Sequence, residues 1–158
     1  MKEPSYLPSE NPRAQRPQYP FRHCMPMQIR FTDIDMIGHL NNNVYLSFMD
    51  LAKLNYFKTI RGGGLEIDDL NMVVVHVDVD FLAPTFMDED VEVWTQVTSV
   101  GKHSVKLEQR VVNGVTGETK SIGRTVMAGF DPKTSTGLPV EQVWVDAISA
   151  YEQRQFER

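Results

Sequence analysis

At 158 residues, with a formal net charge of -5 and a pI near 5.3, the chain is long enough for one well-buried core, and it lacks the overall basic charge that nucleic-acid phosphates require. Its one cysteine, Cys24, excludes an intrachain disulfide, and no paired Cys/His spacing suggests structural zinc, so a reducing, cytoplasmic setting is expected. No stretch approaches the roughly 18 consecutive apolar residues of a membrane span, and the N-terminus lacks the apolar region of a secretory signal, so no membrane association is expected.

Residues 1–20, MKEPSYLPSENPRAQRPQYP, hold five prolines and few large aliphatics, and so cannot bury enough apolar surface to offset the entropy of ordering. They read as a flexible or partner-docked tail, with residues 21–158 as a single domain. The segment FRHCMPMQIRFTD, residues 21–33, alternates weakly and predicts a strand, and Pro26 restricts it to an edge or an irregular start. From Val44 to about Phe57 the apolar residues recur at helical spacing, with Asn43, Ser47, Asp50 and Lys53 as a narrow polar stripe. A helix so patterned is expected to be wrapped on most sides. The asparagines at 41–43 can cap its start, and RGGG at 61–64 marks its stop.

Residues 72–130 read as strands. In MVVVHVDVDFLAP, Val73, Val75, Val77, Val79 and Phe81 share one parity while His76, Asp78 and Asp80 share the other. DVEVWTQVTSV, HSVKLEQRVV and TKSIGRTVMAGF continue the alternation, NGVTGE supplies turn chemistry, and a short helix is expected at roughly 140–154. The order strand, long helix, four-strand meander indicates an α+β fold with the helix on one face of a curved antiparallel sheet of about five strands. An outer edge left open invites pairing with a second copy.

The polar cluster before the helix, FTDIDMIGHLNNN, carries the chemistry. A D-x-D-x-x-G start suggests a calcium loop, but the fifth and twelfth positions hold Ile37 and Val44 instead of oxygen ligands. A metal set of Asp33, Asp35 and His39 lacks an evident fourth ligand or supporting shell, so no metal is assigned. Helix-opening N–H groups have no intrahelical partner and carry partial positive charge, which suits a carbonyl oxygen that becomes negative during acyl transfer. Asp35 lies seven residues before Asn42, and Gly38 allows the chain between them to turn back, so a carboxylate and an oxyanion donor can share one pocket.

FTDIDMIGHLNNNVYLSFMDLAK closely resembles the D-x-D-x-x-G-H-x-N-N-x-x-Y signature of hotdog-fold acyl-CoA thioesterases of the 4-hydroxybenzoyl-CoA thioesterase-like family, in its GHxNN subgroup. The resemblance spans about residues 22–132. It implies a sheet curled around one long central helix, homodimers joined edge to edge, often paired into tetramers, and hydrolysis of acyl-CoA or acyl carrier protein thioesters with no cofactor beyond the coenzyme A of the substrate. By motif position Asp35 corresponds to the catalytic carboxylate, acting as general base on water or as the attacking nucleophile, Asn42 to the backbone N–H that polarises the carbonyl, and His39 to a catalytic pocket histidine that orients the carbonyl or the water. Asn41 and Tyr45 match the remaining signature positions and are assigned to substrate binding. Relatives commonly carry Glu and Arg later in the helix where this chain has Asp50 and Lys53, which makes Asp50 an alternative base.

For the coenzyme A phosphates, Lys102 and Ser104 in the turn GKHS are the candidates, and Met36, Ile37, Phe48, Met72 and Phe81 are candidates for an acyl slot. A noncatalytic module binding acyl-CoA or acyl carrier protein is the alternative function.

Overall fold

The computed structural model describes residues 11–64 and 69–157. The chain enters the sheet through β1 (His23–Met27), which pairs antiparallel along an edge with β3 (Val91–Val100), Pro26 standing opposite Glu92. The strand expected over 21–33 stops early because Asp33 captures the chain. Its carboxylate accepts the Arg30 backbone N–H at 2.8 Å and an Arg30 guanidinium N–H at 3.1 Å, closing a short 3-10 turn over Phe31–Asp33.

Helix α1 (Asn42–Ile60) begins where the asparagines place it, with the Asn41 side chain accepting the Asn43 N–H at 3.1 Å. It ends as Gly62 and Gly63 turn to positive φ, which returns the Gly62 and Gly63 N–H groups to the Thr59 and Lys58 carbonyls. Tyr45, Phe48, Met49, Ala52, Tyr56 and Phe57 are buried at steps of three and four, giving one apolar stripe. Full burial of each large member contributes about 1.5–3 kcal/mol relative to exposure. The expected wrapping is only half present in the single chain. Lys53 lies in the buried stripe, its stem covered and its Nζ 3.3 Å from Asp50, while Leu51 and Leu54 stay exposed.

The sheet runs β1-β3-β4-β5-β2, all antiparallel, with β2 (Met72–Phe81), β4 (Ser104–Asn113) and β5 (Thr119–Asp131). A two-residue β6 (Thr136–Gly137) pairs with the end of β5, and α2 (Gln142–Glu152) follows within the expected 140–154. The four-strand meander is corrected. Only β3, β4 and β5 meander, because β2 docks on β5 at the far edge and residues 82–90 carry the chain across the end of the sheet to β3.

The shared face of Val73 and Val77 is corrected too. A bulge between Val74 and His76 shifts the register, so Val74 stands opposite the core residue Met127 while Val73 stands opposite Ala128, in the outer row that His76, Asp78 and Asp80 continue. Single-residue periodicity carries no sign of such a slip.

The N-terminal half of α1 packs with Leu40, Val91, Val93 and Val111, and its C-terminal half with Val97, Leu107, Met127 and α2. Gly123 on β5 admits this packing. A Cβ there would stand 2.5 Å from Met49 Sδ. On the other face, Phe21 packs edge-on against Trp94, while Asn11 and Arg13 donate to the Leu82 and Phe81 carbonyls. Of the expected 1–20 tail, residues 1–10 lie outside the described residues, and in the remainder Asn11 and Arg13 make these contacts with the end of β2 and the residue after it. Among the described residues, no helix is long and apolar enough to cross a membrane.

Candidate functional site

The site is built by a small hairpin. Ile34 bridges Leu40 antiparallel, the Asp35 N–H donates to the His39 carbonyl at 3.0 Å, and the Asn41 N–H donates to the Asp33 carbonyl at 2.8 Å. The reversal needs Gly38, whose φ of 88° is strained for other residues and whose N–H closes the turn onto the Asp35 carbonyl at 3.0 Å. Asp35 is thereby paired with His39, three residues ahead of the first residue of α1.

At that opening, the Asn41 carboxamide takes the Asn43 N–H and the Asn41 carbonyl takes the Val44 N–H at 2.9 Å. The Asn42 N–H, first of the helix, has no acceptor among the described residues. Asp35 is half-buried, and its carboxylate accepts the Ile37 N–H at 2.9 Å. His39 is half-buried with its ring edge-on to Phe86, 5.4 Å between centroids. Asp35 and His39 are thus paired across one hairpin that leads directly into the Asn41 cap and Asn42, the first residue of α1.

Asp33 belongs to the scaffold. Burial alone would push its carboxyl upward, but the Arg30 backbone N–H and guanidinium outweigh this and hold it below its usual value. Tyr45 is a core residue, with its hydroxyl 2.8 Å from Thr85 Oγ1 and its titration pushed up by burial. Among the described residues no group of three His, Cys, Asp or Glu side chains is placed to hold a metal ion.

Other expected residues lie elsewhere. Asp50 is exposed, eight residues past Asn42 and so about 12 Å farther along the helix axis. Lys102, in the β3–β4 turn, and Ser104, the first residue of β4, sit at the opposite end of the sheet, where the Lys102 carbonyl accepts the Val140 N–H beside α2. Antiparallel β3 imposes this. Its start packs on the N-terminal half of α1 and its end on the C-terminal half. The expected acyl slot is also divided: Met36 and Ile37 project from the hairpin, Phe81 packs edge-on to Tyr45, and Met72 lies in the other core cluster.

Four residues outside the motif support the site. The Thr85 carbonyl accepts the Leu40 N–H at 2.8 Å, and Phe86 packs on His39. Lys120 and Glu89, paired at 2.8 Å, anchor the 82–90 loop that carries both. No local spacing reveals them, because these contacts join segments about 40 residues apart.

The sequence model of the thioesterase superfamily matches residues 37–120, a span that begins just after Asp35. A Thermus thermophilus thioesterase solved with coenzyme A and Zn is 28% identical, with a TM-score of 0.77 over 86% of this chain and 98% of that one. The PA5185 protein from Pseudomonas aeruginosa PAO1 is also 28% identical, with a TM-score of 0.70 over 85% of this chain and 95% of that one. The uncharacterized protein YsmA from Bacillus subtilis is 26% identical over 120 residues, 76% of this chain and 78% of that protein. The sheet and central helix are those of the hotdog thioesterase fold, and since the matched span covers more than half of the sequence, the chain belongs to the thioesterase superfamily.

Proposed function

We propose that the protein hydrolyses acyl-CoA thioesters at the mouth of α1, as a GHxNN-type member of its superfamily. The observation that supports this is the hairpin over 34–40, which pairs Asp35 with His39 and leads directly into a helix start whose first N–H has no partner among the described residues. Similarity to a coenzyme A-bound thioesterase supports the donor.

In the proposed step, Asp35 removes a proton from water as the water oxygen bonds to the thioester carbonyl carbon. The carbonyl oxygen becomes an oxyanion and accepts the Asn42 N–H. The C–S bond then breaks, and the departing thiolate takes the proton back from Asp35. His39 borders the carbonyl. An ordinary Asp carboxyl, near 3.9, is a weak base at neutral pH, so the step needs a desolvated mouth.

A second copy supplies that cover in this reading. Met36 and Ile37 at the hairpin and Val73, Val75 and Val77 on β2, whose outer edge pairs with no other described strand, are exposed apolar side chains that pairing of two β2 edges would enclose. We accordingly expect a homodimer or a tetramer of such dimers, acting in the cytoplasm.

A panel of acyl-CoA esters with a thiol-detecting reagent tests the proposal. Wild type is expected to release coenzyme A, and Asp35→Asn to lose at least about 100-fold in turnover. Binding without thiol release would assign the noncatalytic module instead. Asp50→Asn inactive with Asp35→Asn unaffected would move the base to the helix.

A further inference from the structure

The 82–90 loop crosses the end of the sheet beside the helix mouth, and a buried lysine holds it there. Lys120, 3% exposed at the start of β5, donates from Nζ to the Pro84 carbonyl at 3.0 Å and pairs with Glu89 at 2.8 Å and with Glu118. Its backbone carbonyl accepts the Leu82 and Ala83 N–H groups at 2.8 and 3.2 Å. Glu89 in turn accepts the Phe86 N–H at 3.1 Å and the Asn113 side chain at 2.9 Å. The loop is therefore tied from both its ends to one residue.

What the loop touches on its other side is the site. Thr85, fully buried between these anchors, accepts the Leu40 N–H through its carbonyl and bonds Tyr45 through its hydroxyl, while Phe86 backs the His39 ring. Leu40 directly precedes the Asn41 cap, so the Thr85 carbonyl sets where the hairpin ends and where the Asn42 N–H points. Resting on the thioesterase reading above, we infer that Lys120 is a positioning residue for the reaction, holding the 82–90 loop as a clamp that registers the Asp35 hairpin against the helix mouth.

A purely structural role would cost stability and leave turnover unchanged well below the melting temperature. A clamp acts on geometry that matters in the transition state, where small misplacements are expensive. Burial alone would lower the Lys120 titration, yet bonds to Glu118 and Glu89 outweigh it and raise it, so the group stays charged across the assay range.

The test compares the full-length wild type with Lys120→Met and Lys120→Arg, measured well below each variant's melting temperature. Lys120→Met is expected to lose about tenfold to hundredfold in kcat with KM within about twofold, and Lys120→Arg, which keeps charge and donors, to recover most of the loss. Amide hydrogen exchange at Leu40 is expected to quicken by about tenfold in Lys120→Met. Unchanged kcat, or a loss in kcat without faster Leu40 exchange, overturns the clamp. If Lys120→Met does not fold, Glu89→Gln, which removes one ion pair and leaves Lys120 its Pro84 and Glu118 partners, is judged by the same two readouts. A wild type that releases no thiol from any ester refutes the proposed function instead, and Leu40 exchange still decides the clamp.

Discussion

Replacing Tyr56 by Phe removes one oxygen from a deeply buried polar contact. Tyr56 is fully buried on α1, and its hydroxyl lies 2.6 Å from Oε1 of Glu152, the last residue of α2, which is 3% exposed. The same carboxyl oxygen accepts the Val97 N–H at 3.1 Å, so one acid ties α1, α2 and β3 together. The ring stays in place, so little cavity forms and the loss is that of one hydrogen bond to a buried acid, about 2 kcal/mol. For a chain of this size, about 1 kcal/mol shifts the melting temperature by roughly 2–4 °C, so about 4–8 °C is expected.

Thermal unfolding followed by circular dichroism at pH 7 and fixed protein concentration measures it. The pH dependence carries a second signature. Burial pushes the Glu152 carboxyl up, against the lowering effect of the Tyr56 and Val97 bonds, so the folded state holds the proton more tightly than the unfolded state. Its contribution is full below the unfolded value and is lost as pH rises through the higher folded value. Without Tyr56 that folded value rises further, and the decline becomes steeper. A melting temperature within about 1 °C of wild type would show a hydrated carboxyl and refute this account of α2 docking.

Further outcomes follow from single contacts. Asp33→Asn loses the Arg30 ion pair and should cost about 1 kcal/mol at neutral pH, shrinking as pH falls through the lowered folded value of Asp33, as unfolding at several pH values will show. Gly123→Ala puts a Cβ against Met49 in a packed layer and should destabilise by about 1–3 kcal/mol; an unchanged urea midpoint would mean that the helix shifts freely on the sheet. Val77→Lys on the outer edge strand β2 should lower the sedimenting mass toward that of the 18.1 kDa chain, whereas an unaltered mass would place the subunit contact elsewhere.

The periodicities of the chain and its turn residues determined the helix, its cap at Asn41, its glycine stop and five of the six described strands, because spacing and capping are properties of neighbours along the chain. The same locality made the Asp35 hairpin legible: Gly38 and the polar residues around it lie within a few positions of one another. Only the tertiary structure decided that β2 joins β5, that a bulge at Val75 moves Val73 to the outer row, and that Lys53 is covered while Leu51 is exposed. It also separated Lys102 and Ser104 from the helix mouth and recruited Thr85 and Lys120 to it. These outcomes depend on which strand edges meet and which loop crosses the sheet, a competition between segments distant in sequence that no local pattern records.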